Sequence, residues 1–217
     1  MSLIVENWGM VDYMQAYQRQ RQLVDALIEG ASPRLIFCEH PPVLTLGRLT
    51  REDSLLCPRE HIVSKGIQIY PIDRGGDVTL HAPGQQVVYP IIHLDCIGRN
   101  LKTYLEKLEQ VAVDLLKDFD ILAVSLPGKR GVFMSGPGAS KEAKIVSIGI
   151  GVRKWVAFHG LGINVNTDLS LFDVIKPCGL DVQMTSMQKI LGKPIPMADV
   201  RASIIKQFQK EFVIAKE

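Results

Sequence analysis

The sequence predicts an α+β fold, a mixed central β-sheet with flanking helices. Three observations carry this. Apolar runs of strand length come in consecutive groups, the pattern of hairpins and a mixed sheet rather than of a doubly wound repeat. Few helical stripes lie between them, and the clearest runs from Leu101 to Phe119. Of the 217 residues, 47% are hydrophobic and 22% charged, ordinary values for a chain with a substantial core. No repeat, low-complexity stretch or obvious linker interrupts the sequence, so residues 1–217 read as one domain.

The elements follow in order. From Val11 to Ile28 apolar residues mix with Gln and Arg in a loose helical spacing, and Gly30 ends the run. "RLIFCEH" (34–40) and "VLTLG" (43–47) read as strands separated by Pro41 and Pro42. "IQIYPID" (67–73) and "QQVVYPIIHL" (85–94) read likewise, around a glycine-rich stretch at 74–84. The helix of Leu101–Phe119 shows one apolar stripe, with Asn100 placed to cap it. "ILAVS" (121–125), "GVFMS" (131–135), "KIVSIGIGV" (144–152) and "VAFHGLGINVN" (156–166) read as strands. In "TSMQ" (185–188), Thr185 and Gln188 have capping-box spacing and predict a short helix to Leu191. A last amphipathic helix runs from about Met197 to Phe212.

The net charge of +2 excludes a strong field toward nucleic acid or an anionic membrane, so neither is expected as a partner. "MSLIVENWGM" has no basic cluster and no long apolar stretch, so it reads as neither secretory signal nor transit peptide. No apolar run approaches membrane-spanning length, and a cytoplasmic protein is expected. Cys38, Cys57, Cys96 and Cys178 show no C-x-x-C spacing. Free thiols are therefore expected rather than a zinc site or disulfides.

Four segments could carry chemistry. "DRGGDVTLHAPGQ" (73–85) holds three glycines, an arginine and a histidine between two apolar strands. It is longer than a plain hairpin needs, which favours a binding loop. It lacks the pattern of a phosphate loop, and "GIGVRKWVAFHGLG" lacks the dinucleotide spacing. Lys144 opens an apolar strand. It reads either as a solvated edge lysine or as a base desolvated among Ile145, Ile148 and Ile150. His159, in "AFHGLGINVN", reads as a satisfied core histidine or as a catalyst, and the Asn-rich end of that segment as a turn with side-chain-to-backbone bonds. Cys178 stands between Pro177 and Gly179 in "IKPCGL", an irregular backbone less suited to core filler than the strand around Cys38. Its thiol becomes a nucleophile only if a cation or base favours the thiolate.

Taken together, "CEHPPVLTLGR" (38–48), "DRGGDVTLHAPGQQVVYP" (73–90), "GVFM", "KIVSIGIGV", "FHGLGINVNTDLSLFDVIKPCGL" (158–180) and "TSM" resemble the octanoyltransferase family, in that family's order and over most of the chain. The resemblance implies a catalytic domain like that of biotin and lipoate protein ligases. It implies that Cys178 is the nucleophile and Lys144 its partner. The acyl-binding loop it implies comprises Arg74, Gly75, Gly76, Asp77, Val78, Thr79, Leu80 and His81. Further substrate-binding positions are Ser147, Ile148 and Gly149, then Gly160, Leu161 and Gly162, with His159 at the head of the second group. The donor implied is octanoyl-acyl carrier protein. The acceptors implied are lipoyl domains of 2-oxo acid dehydrogenase E2 subunits and the glycine cleavage H protein. The acyl group arrives activated, so no cofactor, metal or ATP is implied. An ATP-dependent lipoate or biotin ligase, or a non-catalytic acyl-carrier-binding module, would share the fold.

Three positions depart from the family pattern. Ala82 stands where a glycine is usual, and would be strained if that position needs a positive φ. Leu80 replaces an aromatic, with an expected effect on the pocket wall. "SGPGASKEA" (135–143) lengthens the hairpin before Lys144 and makes Lys141 a rival for its role.

Overall fold

The computed structural model describes residues 2–134, 142–176 and 182–212. Its larger sheet has the strand order β1 (Ile4–Met10), β2 (Arg34–Glu39), β6 (Gln85–His93), β10 (Val156–Asn164), β9 (Ala143–Arg153), β8 (Lys129–Met134), β7 (Ala123–Leu126), with β11 (Gln183–Met184) added beside β9. β1 runs parallel to β2 and β11 parallel to β9, while the other neighbours are antiparallel. The sheet is therefore mixed, as the grouping of strands predicts. A second sheet of three strands has the order β4 (Gln68–Pro71), β3 (Val43–Leu46), β5 (Val78–His81).

Helices cover both faces of the larger sheet. On one face lie α3 (Leu101–Lys117) and α5 (Met197–Glu211). Leu108, Val111, Leu115, Ile204 and Phe208 are buried there against Val88, Ile92, Val146, Leu161 and Ile163. On the other face α1 (Tyr13–Ile28) sets Ala16, Val24 and Leu27 against Val87, Tyr89, Ile91 and Phe158. The strands supply both cores by alternation, since Val87, Tyr89 and Ile91 face α1 while Val88 and Ile92 face α3. Asp12 Oδ1 accepts from Gln15 N–H and Asn100 Oδ1 from Thr103 N–H, so α1 and α3 begin at side-chain caps.

One local expectation changes, and further elements escape the sequence reading. The last short helix, α4 (Met187–Leu191), is capped by Ser186 rather than Thr185. Thr185 is occupied by its neighbours. Its N–H bonds Lys144 O at 2.9 Å and its carbonyl accepts from Asn164 Nδ2 at 3.0 Å, leaving the next residue to cap. β1 has no counterpart in the sequence reading. It is an edge strand with Ile4, Val5 and Met10 exposed, so it lacks the alternation that marks a half-buried strand. α2 (Arg59–Ser64), at six residues, is too short for a periodic stripe.

Candidate active site

A cavity of about 460 Å³ lies where the smaller sheet meets the larger one. Its floor is a run of cross-strand pairs on β9 and β10. Gly149 faces Gly160 and Ser147 faces Gly162. Alternation places these residues opposite the α3 core, and no side chain larger than serine rises from them. Main chain also presses from behind. A Cβ on Gly160 would stand 2.3 Å from Val88 O and 2.7 Å from Pro90 Cδ.

The loop Arg74–Asp77 forms the opposing wall and is bolted to both sheets. Gly75 N–H donates to Ile150 O at 2.8 Å. Arg74, 6% exposed, reaches the smaller sheet through Nε to Thr45 Oγ1 (3.1 Å) and Nη2 to Thr45 O (2.6 Å). Two glycines make room for it. A Cβ on Gly47 would meet Gly76 O at 2.3 Å, and one on Gly149 would meet Arg74 Cδ at 2.9 Å. Asp77 closes the loop by accepting from Ser54 Oγ at 2.8 Å and Val78 N–H at 2.6 Å. The glycine-rich stretch is thus a docked loop rather than a plain turn.

Two departures from the pleat turn polar side chains into this cavity. In β9 the register with β8 shifts between Val132–Val146 and Phe133–Lys144. Ile145 and Val146 consequently both enter the α3 core, and Lys144 emerges on the cavity side. Lys144 is 1% exposed, which removes the solvated-edge reading. Its Nζ lies 5.6 Å over the Phe133 ring, and its Cε lies 2.7 Å from where a Cβ on Gly131 would be. The apolar wall expected from Ile145 comes instead from Phe133 and Gly131. In β10 His159 has φ 58, a left-handed angle uncommon outside glycine. Consecutive residues Phe158 and His159 therefore both lie on the α1 side, the His159 ring stacked on Tyr17 at 5.6 Å. The N–H of His159 donates to Gln20 Oε1 on α1 at 2.9 Å.

The electrostatics follow from burial. His159 Nε2 is 3.1 Å from Asp73 Oδ1. Burial nonetheless holds the imidazole pKa below its ordinary value, outweighing the carboxylate. The hydrogen bond from His159 pulls Asp73 down to about 2, with help from Tyr17 and Arg21. On the far side, burial lowers His81 to about 3 and His40 to about 4. Both histidines are neutral at pH 7.

The cavity brings together almost every position singled out in the sequence: Arg74, Gly75, Gly76, Asp77, Val78, Thr79, His81, Lys144, Ser147, Ile148, Gly149, His159, Gly160, Leu161 and Gly162. Leu80 is the exception. Between Thr79 and His81 on β5, it is fully buried with Leu44, Ile62 and Phe172 in the core of the smaller sheet, away from the pocket wall. Ala82 is buried without a positive φ, so the strain considered for it does not arise; the left-handed residue of that turn is Gly84 (φ 80). Cys178 and Lys141 lie outside the described residues. On either side of the stretch 177–181, Lys176 N–H bonds Ser54 O at 2.9 Å and Met184 sits in register with Lys144.

Sequence reasoning passed over Tyr13, Tyr89, Arg51, Leu105, Lys129 and Arg130, which also border the cavity. Tyr89 alternates with Val87 and Ile91 and reads as a core position. Lys129 and Arg130 sit in a hairpin, where basic residues read as solvated. The Asn-rich turn does bond backbone through its side chains, but across the fold: Asn166 Nδ2 and Oδ1 both engage Ile195. Cys38 is core, as expected, with burial pushing its thiol pKa up. Among the described residues no group of three His, Cys, Asp or Glu side chains is placed to hold a metal.

A family model, the lipoyl protein ligase A/B catalytic domain, matches residues 12–209. The chain is therefore a member of that class of catalytic domains. Its fold agrees with this. It is similar to a chain in the structure of a bi-partite lipoate protein ligase and its E2 lipoyl domain from Thermoplasma acidophilum, with a TM-score of 0.72 at 17% identity over 100% of this chain and 86% of that one. A biotin protein ligase from Aquifex aeolicus is similar at a TM-score of 0.54 and 14% identity, over 98% of this chain and 69% of that one. Both likenesses are of fold. The octanoyltransferase of Bacteroides fragilis (strain YCH46) is 41% identical over 208 residues, 93% of this chain and 94% of that protein. Within its class the chain belongs to the octanoyltransferase family, and it is an acyltransferase.

Proposed function

We propose that the protein transfers an octanoyl group from octanoyl-acyl carrier protein to a lysine of a lipoyl domain, in the cytoplasm, through a thioester on Cys178. The acceptors on this reading are the E2 subunits of 2-oxo acid dehydrogenases and the glycine cleavage H protein. The observation that carries it is the buried Lys144, turned by a bulge into a cavity with a main-chain floor. A floor with no side chain larger than serine suits a flexible apolar tail, and each buried methylene adds roughly 0.8 kcal/mol.

Between them Cys178 and Lys144 hold one labile proton, as thiol plus amine or thiolate plus ammonium. Attack of Cys178 Sγ on the thioester carbonyl leaves that proton on Lys144 Nζ. As the tetrahedral intermediate collapses, the carrier's thiolate departs and takes the proton from Nζ. The acceptor lysine amine then attacks the Cys178 thioester and gives a proton to Nζ. Collapse forms the amide and releases Cys178 as thiolate beside the ammonium. A covalent intermediate lets two bulky protein substrates use one cavity in turn. Chain geometry supports the pairing, since Met184, six residues beyond Cys178, is the register partner of Lys144.

Intact-mass spectrometry after incubation with octanoyl-acyl carrier protein tests this. The wild type should gain one octanoyl group, lost again on adding a lipoyl domain, and Cys178→Ala should gain none. Loading of free octanoate that requires ATP would sink the reading and leave a ligase. Carrier binding without acylation would leave a binding module.

A further inference from the structure

A chain of buried side chains behind the cavity has no part in the mechanism above. His81 Nδ1 lies 2.7 Å from Gln85 Oε1. Gln85 Nε2 donates to Leu80 O at 3.1 Å and to Asn164 Oδ1 at 2.9 Å. Asn164 Nδ2 donates to Thr185 O at 3.0 Å. Both ends rest on main-chain carbonyls, which only accept. Leu80 O requires the amide nitrogen of Gln85 on its side, and Thr185 O requires that of Asn164. The Gln85 oxygen must then face His81, and an oxygen there requires a proton on His81 Nδ1. Since the ring is neutral, its other polar atom, Nε2, carries a lone pair and no proton.

The same logic does not dispose of His81 as it does of its neighbour. His40 Nδ1 faces Val11 O at 2.7 Å, and its Nε2 accepts from the Tyr89 hydroxyl at 2.7 Å, so both nitrogens are spent inside the protein. His81 borders the cavity, and Nε2 is the ring atom that Gln85 leaves over. A bare Nε2 can only accept, so its ligand must bring a donor. The octanoyl tail and the thioester have none. The attacking amine has two N–H bonds and needs its own lone pair aimed at the carbonyl.

Resting on the octanoyl-transfer reading, we propose that His81 Nε2 accepts an N–H of the attacking lysine amine, and that Gln85 and Asn164 are positioning residues that keep the His81 proton on Nδ1. Holding one N–H fixes the direction of the amine lone pair. His81 therefore serves the second half of the reaction and not the first. Four other groups act on its ring: Tyr13, stacked at 5.8 Å, His40 at 5.7 Å, and the charges of Arg74 and His159.

The test separates the two half-reactions in single turnover. One assay follows acylation by octanoyl-acyl carrier protein, the other transfer from isolated octanoyl-enzyme to a lipoyl domain. Gln85→Glu replaces the amide with a carboxylate that favours a second proton on His81 and turns Nε2 into a donor. The transfer step should slow at least tenfold more than acylation, and it should regain rate as pH rises through the new His81 pKa. Equal slowing of both steps, or a larger effect on acylation as expected if Nε2 instead held an amide N–H of the carrier's arm, would overturn the proposal. If Gln85→Glu does not fold, ¹⁵N-histidine spectra of the wild-type protein decide the tautomer. Protonated Nδ1 with bare Nε2 is expected, and the reverse overturns it. A wild type that forms no octanoyl-enzyme would instead remove the covalent reading, with the tautomer still standing or falling on its own spectrum.

Discussion

Strands β9 and β10 are neighbours that solve one problem in two ways. Each must keep an apolar face under α3 and still turn one polar side chain into the cavity behind it. β9 shifts its register against β8, so Ile145 and Val146 both go inward and Lys144 comes out. β10 keeps its register with β6 and uses a single left-handed residue, His159. The bulge is a property of strand pairing and tolerates many side chains at Lys144. The left-handed angle is a property of one residue and restricts what can stand at 159. The two polar groups should therefore differ in how they respond to substitution.

The largest effect expected is on activity at the bulge. Lys144→Met keeps a long stem across Gly131 and over Phe133 and removes the ammonium. Octanoyl transfer should fall by about 10²–10⁴-fold while the melting temperature is held or rises. A variant with near wild-type transfer would break the comparison at its root, because Lys144 would then be a packing residue.

Next comes pH. His40, His81 and His159 all have folded pKa values below the ordinary value, at about 4 for His40 and about 3 for His81. As pH falls through about 6.5 the unfolded chain takes up these protons before the folded one does. Stability is thus fully present above that pH and erodes below it, by about 1.4 kcal/mol per pH unit for each of His40 and His81, with His159 adding in the same direction. Asp73, held at about 2, adds a loss in the same direction between about pH 4 and 2. Urea melts at pH 7 and pH 5 should differ by several kcal/mol, and His40→Asn should shrink the gap. Equal stabilities would mean that the three rings titrate normally.

Smaller still is the cost of filling the floor. Gly160→Ala places a methyl 2.3 Å from Val88 O and should destabilise by about 1–3 kcal/mol, read as a drop of several degrees in melting temperature. The smallest effect sharpens the contrast between the strands. His159→Val should cost about 1–2 kcal/mol more than His159→Asn, because asparagine tolerates the left-handed region and a β-branched residue does not. No such difference is expected between valine and asparagine at Ser147, on the regular part of β9.

Most of the fold was legible because most of its elements obey their periods. α3, α5 and β6 bury most of the residues that the helical stripe or alternation selects. β1 was not legible, since an exposed edge strand carries no pattern. The loop Arg74–Asp77 was legible from composition, because a docked loop needs glycine where main chain meets main chain, whereas Ser147–Gly149 and Gly160–Gly162 came from the family resemblance. What failed is instructive. The bulge that turns Lys144 toward the cavity depends on pairing with β8, which no local window contains. Leu80 was grouped with its neighbours by motif, yet period two sends it to the other side of β5. The hydrogen bonds from His81 to Thr185 join residues from three distant segments, so their partners could not be read from any one of them.

The cavity floor has a consequence for how its selectivity can drift. Gly149, Gly160 and Gly162 already contribute the least atom count a residue can. Every substitution there adds matter, so mutation of the floor can make the groove shallower and cannot make it deeper. Drift toward thinner or shorter guests is open by single steps at these positions, whereas accommodation of bulkier ones must come from the opposite wall or the far end.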